Sequence, residues 1–224
     1  MAKEKLSEFY SIVLLGSFNP LLFHPYWLRE RNIISERDVN MENAYMHPEL
    51  AQFSVGKWMQ VIVNPRKIEF KIKEEVKVPM LRDLVIQTLE QLPEVKITAI
   101  GINRGEIDLI TDPKLFYAIG AALCPLKKWT TMKDARVQSI RVQDEDSELM
   151  SQKSIGIKSI IIKKKEEEVD GKGIDVDMNY NYDMPKNNQT SREAIRIIDE
   201  NVFVCFEDYN KVMANLDQMV NDAI

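Results

Sequence analysis

Apolar and polar residues alternate most strictly at Ile68, Phe70 and Ile72, which are separated by Glu69, Lys71 and Lys73. A period of two puts the first set on one face of a strand and the second on the other, so this run predicts a half-buried strand with one wet face. The same pattern runs from Ile174 to Met184, where Ile174, Val176, Met178, Tyr180 and Tyr182 alternate with Asp175, Asp177, Asn179, Asn181 and Asp183. Ile12-Val13-Leu14-Leu15 is short, β-branched and continuous, which predicts a buried strand ended by Gly16. From Phe53 the chain again reads as strand, and Met59–Val63 meets Ile68–Ile72 across Asn64-Pro65, which predicts a hairpin. Further strands are predicted at Ile97–Ile102, Val137–Val142 and Ile155–Ile162.

Helical spacing takes over at Leu81, Leu84, Val85, Thr88, Leu89 and Leu92, with Pro79 at a favoured first position and Pro93 as a stop. Asp112-Pro113 opens a second helix carrying Leu115, Phe116, Ile119, Ala122 and Leu123, closed by Pro125. Thr190 and Glu193 have capping-box spacing, so a third helix starts there with Ala194, Ile197 and Ile198 on its stripe. The stripe continues through Phe206, Tyr209, Met213, Leu216 and Val220, although Val202–Phe206 reads equally as a short strand. A short helix is expected within Leu28–Ile34.

Strands grouped together and closed by helices point to an α+β fold of mainly antiparallel sheet, not to a wound parallel sheet. The order divides into two strand-rich units, residues 1–95 and 96–224, each closed by a helix, and it also fits one compact domain. Residues 18–50 form an insertion in the first unit that is rich in large side chains: Phe18, Phe23, His24, Tyr26, Trp27, Tyr45 and His47. Connections are usually about 4–6 residues long, so an insertion of this length is expected to carry a function.

Composition narrows the classes. The 224 residues carry 30 Lys and Arg against 35 Asp and Glu, a formal charge of −5, which opposes broad binding to a nucleic-acid backbone. Cys124 and Cys205 have no neighbour at zinc-ligand spacing and make no disulfide framework, and no apolar run approaches the length of a membrane span. The expectation is a cytoplasmic protein with free thiols.

Candidate chemistry is sparse. Gly16-Ser17-Phe18-Asn19-Pro20, followed by His24, resembles the first motif of the nicotinamide-mononucleotide adenylyltransferases. That resemblance implies a nucleotide-binding or nucleotidyltransferase-like enzyme using Gly16–His24, with His24 on the phosphates. The chain departs from the motif by lacking its second His and by its antiparallel order downstream. The Asp175, Asp177 and Asp183 ladder offers weak metal candidates or, more simply, the wet face of a strand lying opposite Lys158, Lys163 or Lys164. Lys163–Glu168 is charge-balanced and reads, with Gly171 and Gly173 beyond it, as a hairpin tip. Ile100-Gly101-Ile102-Asn103-Arg104 resembles a motif of a sporadically distributed bacterial family of uncharacterised two-unit α+β proteins, over residues 53–110. The Arg-Tyr that usually precedes the Asn is absent, and the resemblance implies no known activity.

No convergent catalytic set is legible, so the sequence leans to a non-enzymatic protein-interaction or accessory subunit of a bacterial cytoplasmic system, with enzyme status left open. The residues expected to bind are Phe18, Asn19, Phe23, His24, Tyr26 and Trp27, toward a protein partner or a second copy of the chain in a homo-oligomer. No cofactor is implied.

Overall fold

The computed structural model describes residues 3–124, 137–146, 151–162 and 171–223. Its centre is one nine-stranded antiparallel sheet. In chain order the strands are β1 (Lys3–Gly16), β2 (Val39–His47), β3 (Leu50–Val55), β4 (Met59–Asn64), β5 (Lys67–Ile72), β6 (Ile97–Ile110), β7 (Ser139–Asp146), β8 (Ser151–Ile162) and β9 (Gly171–Asp183). Across the sheet they run β2-β3-β4-β5-β1-β6-β9-β8-β7. The long strands β1 and β6 form the middle, and each is flanked by a meander that returns to it. The helices are α1 (Pro25–Glu30), α2 (Val78–Glu90), α3 (Pro113–Leu123) and α4 (Ser191–Ala223). The fold is α+β with mainly antiparallel sheet.

Alternation decides which face is buried. Ile68, Phe70 and Ile72 are buried, as are Tyr10, Ile12 and Leu14 opposite them and Val61, Phe53 and their neighbours further out. In β9, Ile174, Val176 and Met178 are buried while Asp175, Asp177 and Asn179 are only half-buried. The four helices among the described residues lie on this apolar face. Leu81, Leu84, Val85 and Leu89 of α2 close the core over β1–β5, and α3 closes a second core over β9 and β8. The 33 residues of α4, about 50 Å of helix, lie between α2 and α3 and contribute to both cores.

Local signals behave as their chemistry dictates. Asn64 Oδ1 accepts the Arg66 N–H in the β4–β5 turn, and Asp112 Oδ1 accepts the Lys114 N–H at the start of α3. Thr190 Oγ1 accepts the Glu193 N–H at the start of α4. Val202–Phe206 is helical, because the stripe Ile198, Val202, Cys205, Tyr209, Met213 stays buried on one side while Phe203 and Val204 are left facing out.

Three expectations need correction. Residues 18–50, expected as an insertion with a short helix within Leu28–Ile34, contain two short 3-10 turns, α1 at Pro25–Glu30 and the edge strand β2, which carries a bulge between Asn40 and Tyr45 with Asn43 at φ +66°. The first strand starts at Lys3, well ahead of Ile12, and the sixth runs on past Ile102 to Ile110. The Lys163–Glu168 tip, with Lys163 and Lys164, and Pro125 lie outside the described residues. Among the described residues no helix is long and apolar enough to cross a membrane.

Candidate functional site

The aromatic insertion is built chiefly as packing. Phe18, Phe23 and Trp27 are buried, with Phe23 centred 6.4 Å from Phe18 and 5.5 Å from Trp27. They join the main core beside β2 and β3, so three of the six residues expected to bind offer no surface to a partner. Asn19 Oδ1 accepts the Leu21 N–H, and His24 Nδ1 accepts the Trp27 N–H at 3.1 Å. His24, which the adenylyltransferase resemblance places on the phosphates, is thus engaged in capping α1, a helix of only six residues, and Asn19 caps the three-residue turn Pro20–Leu22. Gly16 is required because an added Cβ would lie 2.2 Å from the Lys96 carbonyl oxygen. Tyr26 alone of the six is a large exposed side chain.

The acidic ladder faces away from the helices. Asp177 receives Arg141 Nη2 at 3.0 and 3.3 Å, Asp183 accepts from Asn181 at 3.1 Å, and Asp175 lies in register with Lys158. Burial, with Asp177 beside it, pushes the Asp175 carboxyl up despite Lys158. Among the described residues no three His, Cys, Asp or Glu side chains come close enough to hold a metal ion.

These aspartates belong to a larger surface. Among the described residues nothing covers the face of the sheet opposite the helices. Its middle is small and amide-rich: Asn179 Nδ2 donates to Asn103 Oδ1, and Asn103 Nδ2 donates to Ser11 Oγ at 3.1 Å, linking β9, β6 and β1 across the floor. Gly101, Gly105 and Gly173 lie on the same face. Phe9 packs over Gly105, where an added Cβ would come within 2.4 Å of the ring, and Lys71 Nζ sits 4.4 Å from that ring's centre. Lys67 and Lys71 of β5 border the floor on one side, with Glu69 paired to Lys67 at 2.9 Å, and the Asp175–Asp183 row of β9 borders it on the other.

The helix-covered face holds the second candidate, which the sequence reading missed. Core-facing positions of β6 read Ile100, Ile102, Arg104, Glu106, Asp108, Ile110. Arg104, Glu106 and Asp108 are 5%, 6% and 1% exposed. Charges so deeply placed are costly unless paired. The Arg104 guanidinium lies between two rings, 5.0 Å from the centre of Tyr10 and 4.4 Å from that of Tyr209. Its Nη1 donates to the Phe206 carbonyl at 3.0 Å and sits 3.6 Å from Glu75 Oε1. Lys3 Nζ is 2.8 Å from Asp108 Oδ2 and 3.4 Å from Glu106 Oε1, and Lys5 Nζ is 3.3 Å from Glu106 Oε2. Burial is the main influence on Asp108; it pushes the carboxyl up, with Glu106 adding and Lys3 opposing. Burial also pulls the Lys3 ammonium down, yet Asp108 and Glu106 outweigh it and the net shift is upward.

These groups line a cleft of about 380 Å³, floored by β1 and β6 and roofed by Tyr209, Asn210, Met213 and Asp217 of α4. Two polar groups in its lining have unmet capacity among the described residues: the Tyr209 hydroxyl and Asp108 Oδ1, both buried and without a hydrogen-bond partner. The signal in the sequence was available. Charges at 104, 106 and 108 continue the even-numbered parity of Ile100 and Ile102, which places them on the core side. No family model and no curated protein matches this chain.

Proposed function

We propose that the protein is a non-catalytic interaction or accessory subunit of a bacterial cytoplasmic system, that the open face of the sheet is its docking surface, and that a second copy of the chain docks there. The observation that supports this reading is the Ser11–Asn103–Asn179 floor with glycines around it, bordered by lysines on β5 and aspartates on β9. Small central side chains let a second sheet approach to the usual packing distance of about 10 Å. A two-fold axis parallel to the strands would lay β5 of one copy over β9 of the other. Lys67 is level with Asp183 through Leu15 and Ala99, so the pairing sets opposite charges against each other. Six strands by ten residues present roughly 29 by 33 Å, or about 950 Å², against the roughly 800 Å² per partner of a standard interface.

Sedimentation equilibrium from micromolar to millimolar concentration tests the reading. The parent should dimerise, and Asn103→Arg should abolish dimerisation while the variant still unfolds in one cooperative transition. Lys67→Glu and Asp183→Lys should each weaken the dimer, and the double variant should restore it. A parent that stays monomeric, or a double variant weaker than both single variants, refutes this mode of assembly.

A further inference from the structure

We propose that the cleft between β6 and α4 binds an elongated zwitterion, a free amino acid whose side chain ends in an ammonium group, with its carboxylate on Arg104 and its terminal ammonium on Asp108. The inference does not depend on the docking face, which is on the other side of the sheet.

The charge balance points to a ligand of both signs. Lys3, Lys5 and Arg104 line the cleft together with Glu106, Asp108 and Asp217, three cations against three carboxylates. An anion would meet the carboxylates, and a simple polycation would meet Arg104 and the lysines. The groups with unmet capacity are also of both kinds. Arg104 directs Nη1 to Phe206 and Glu75, and its other guanidinium N–H groups make no hydrogen bond among the described residues. Asp108 Oδ1 is an acceptor without a donor, and the Tyr209 hydroxyl can serve either end. Asp217 faces the same space from α4 and has no ion pair among the described residues. A metal ion is the poorer fit, because no three of the carboxylates converge.

Length selects the ligand further. Arg104 and Asp108 are four residues apart on one face of a strand, about 13 Å between α-carbons. The ammonium and carboxylate of an amino-acid head group share one carbon and cannot span that gap. An ammonium at the end of a four-carbon side chain narrows it to what the Arg104 and Asp108 side chains can bridge. The Tyr209 ring, held against Arg104, walls the space where the aliphatic stem would lie.

Isothermal titration calorimetry on the full chain is the test, with L-lysine as the probe. Lysine and 6-aminohexanoate should bind. Norleucine, which lacks the terminal ammonium, and cadaverine, which lacks the carboxylate, should each bind at least about tenfold more weakly. Arg104 and Asp108 are buried and their variants can fail to fold, so the mutational arm uses Asp217→Asn and Tyr209→Phe, each expected to weaken lysine binding by about tenfold while the thermal melt stays cooperative. The proposal is overturned if millimolar lysine gives no heat of binding, if norleucine or cadaverine matches lysine, or if both variants bind lysine like the parent.

Discussion

Arg104→Lys separates a charge that holds the fold from one that merely sits within it. The substitution keeps the positive charge beside Glu75 and removes the planar guanidinium. Two ring contacts are lost, each worth about 0.5–2 kcal/mol at a desolvated site. The hydrogen bond to the Phe206 carbonyl, worth about 1.5–3 kcal/mol for a charged donor, is lost or lengthened. The Arg104 side chain is only 6% exposed, so solvent screens little of this. A lysine ammonium recovers part of each contact but cannot stack on Tyr10 and Tyr209 together. The expected loss is therefore about 2–4 kcal/mol. Urea unfolding followed by circular dichroism measures it, and an unchanged m-value would show that the variant unfolds from the same compact state. A loss below about 1 kcal/mol would refute the reasoning, because it would mean that the stacked geometry contributes little to folding.

Leu84→Ala, on the buried stripe of α2, should cost about 2–5 kcal/mol in denaturant melts; a change under about 1 kcal/mol would mean that the stripe is loosely packed. Trp27→Ala should lower stability by about 3–5 kcal/mol, since Trp27 is core; an unchanged melt with altered association would reverse that assignment. Asp108 supplies a test in pH. Its folded carboxyl is raised, chiefly by burial, with Glu106 adding and Lys3 opposing, while Asp217 and the Tyr209 hydroxyl face it from α4. A raised carboxyl binds its proton more tightly in the folded state. Its contribution to stability is therefore complete below the unfolded value of about 3.9 and lost as pH rises through the folded one. Asp108→Asn should remove that downward slope relative to the parent in urea melts across acidic to neutral pH, and identical slopes would sink the assignment.

The elements that were legible from sequence are those whose burial is periodic. Ile68–Ile72 and Ile174–Met178 alternate cleanly because one face meets helices and the other meets water. The edge strand β2 buries almost nothing, and its bulge at Asn43 breaks what alternation exists, so Val39–His47 carries no period to read. The second half of β6 escaped for the opposite reason. Arg104, Glu106 and Asp108 stand where apolar residues belong, so the strand reads only as far as Ile102 although parity places the three charges inside. The aromatic insertion misled through its residue types. Phe18, Phe23 and Trp27 have the chemistry of a binding surface, yet all three are buried in the main core, where the short segment that carries them packs against β2 and β3.

The pairing of β1 with β6 sets a schedule for synthesis. Ser11 and Asn103 meet across the floor but stand 92 positions apart in the chain. At roughly 5–20 residues per second, β1 leaves the ribosome about 5–20 s before its central partner exists. During that interval β5 can pair with one edge of β1 while the other edge stays open. The lid over both cores comes later still, because α4 is made after all nine strands. Contacts this distant in sequence also slow folding once the chain is complete, since loop closure precedes the contacts that reward it. The nascent first half is thus an exposed sheet edge waiting for a strand, and a free β6-like segment supplied in trans should capture it at that stage.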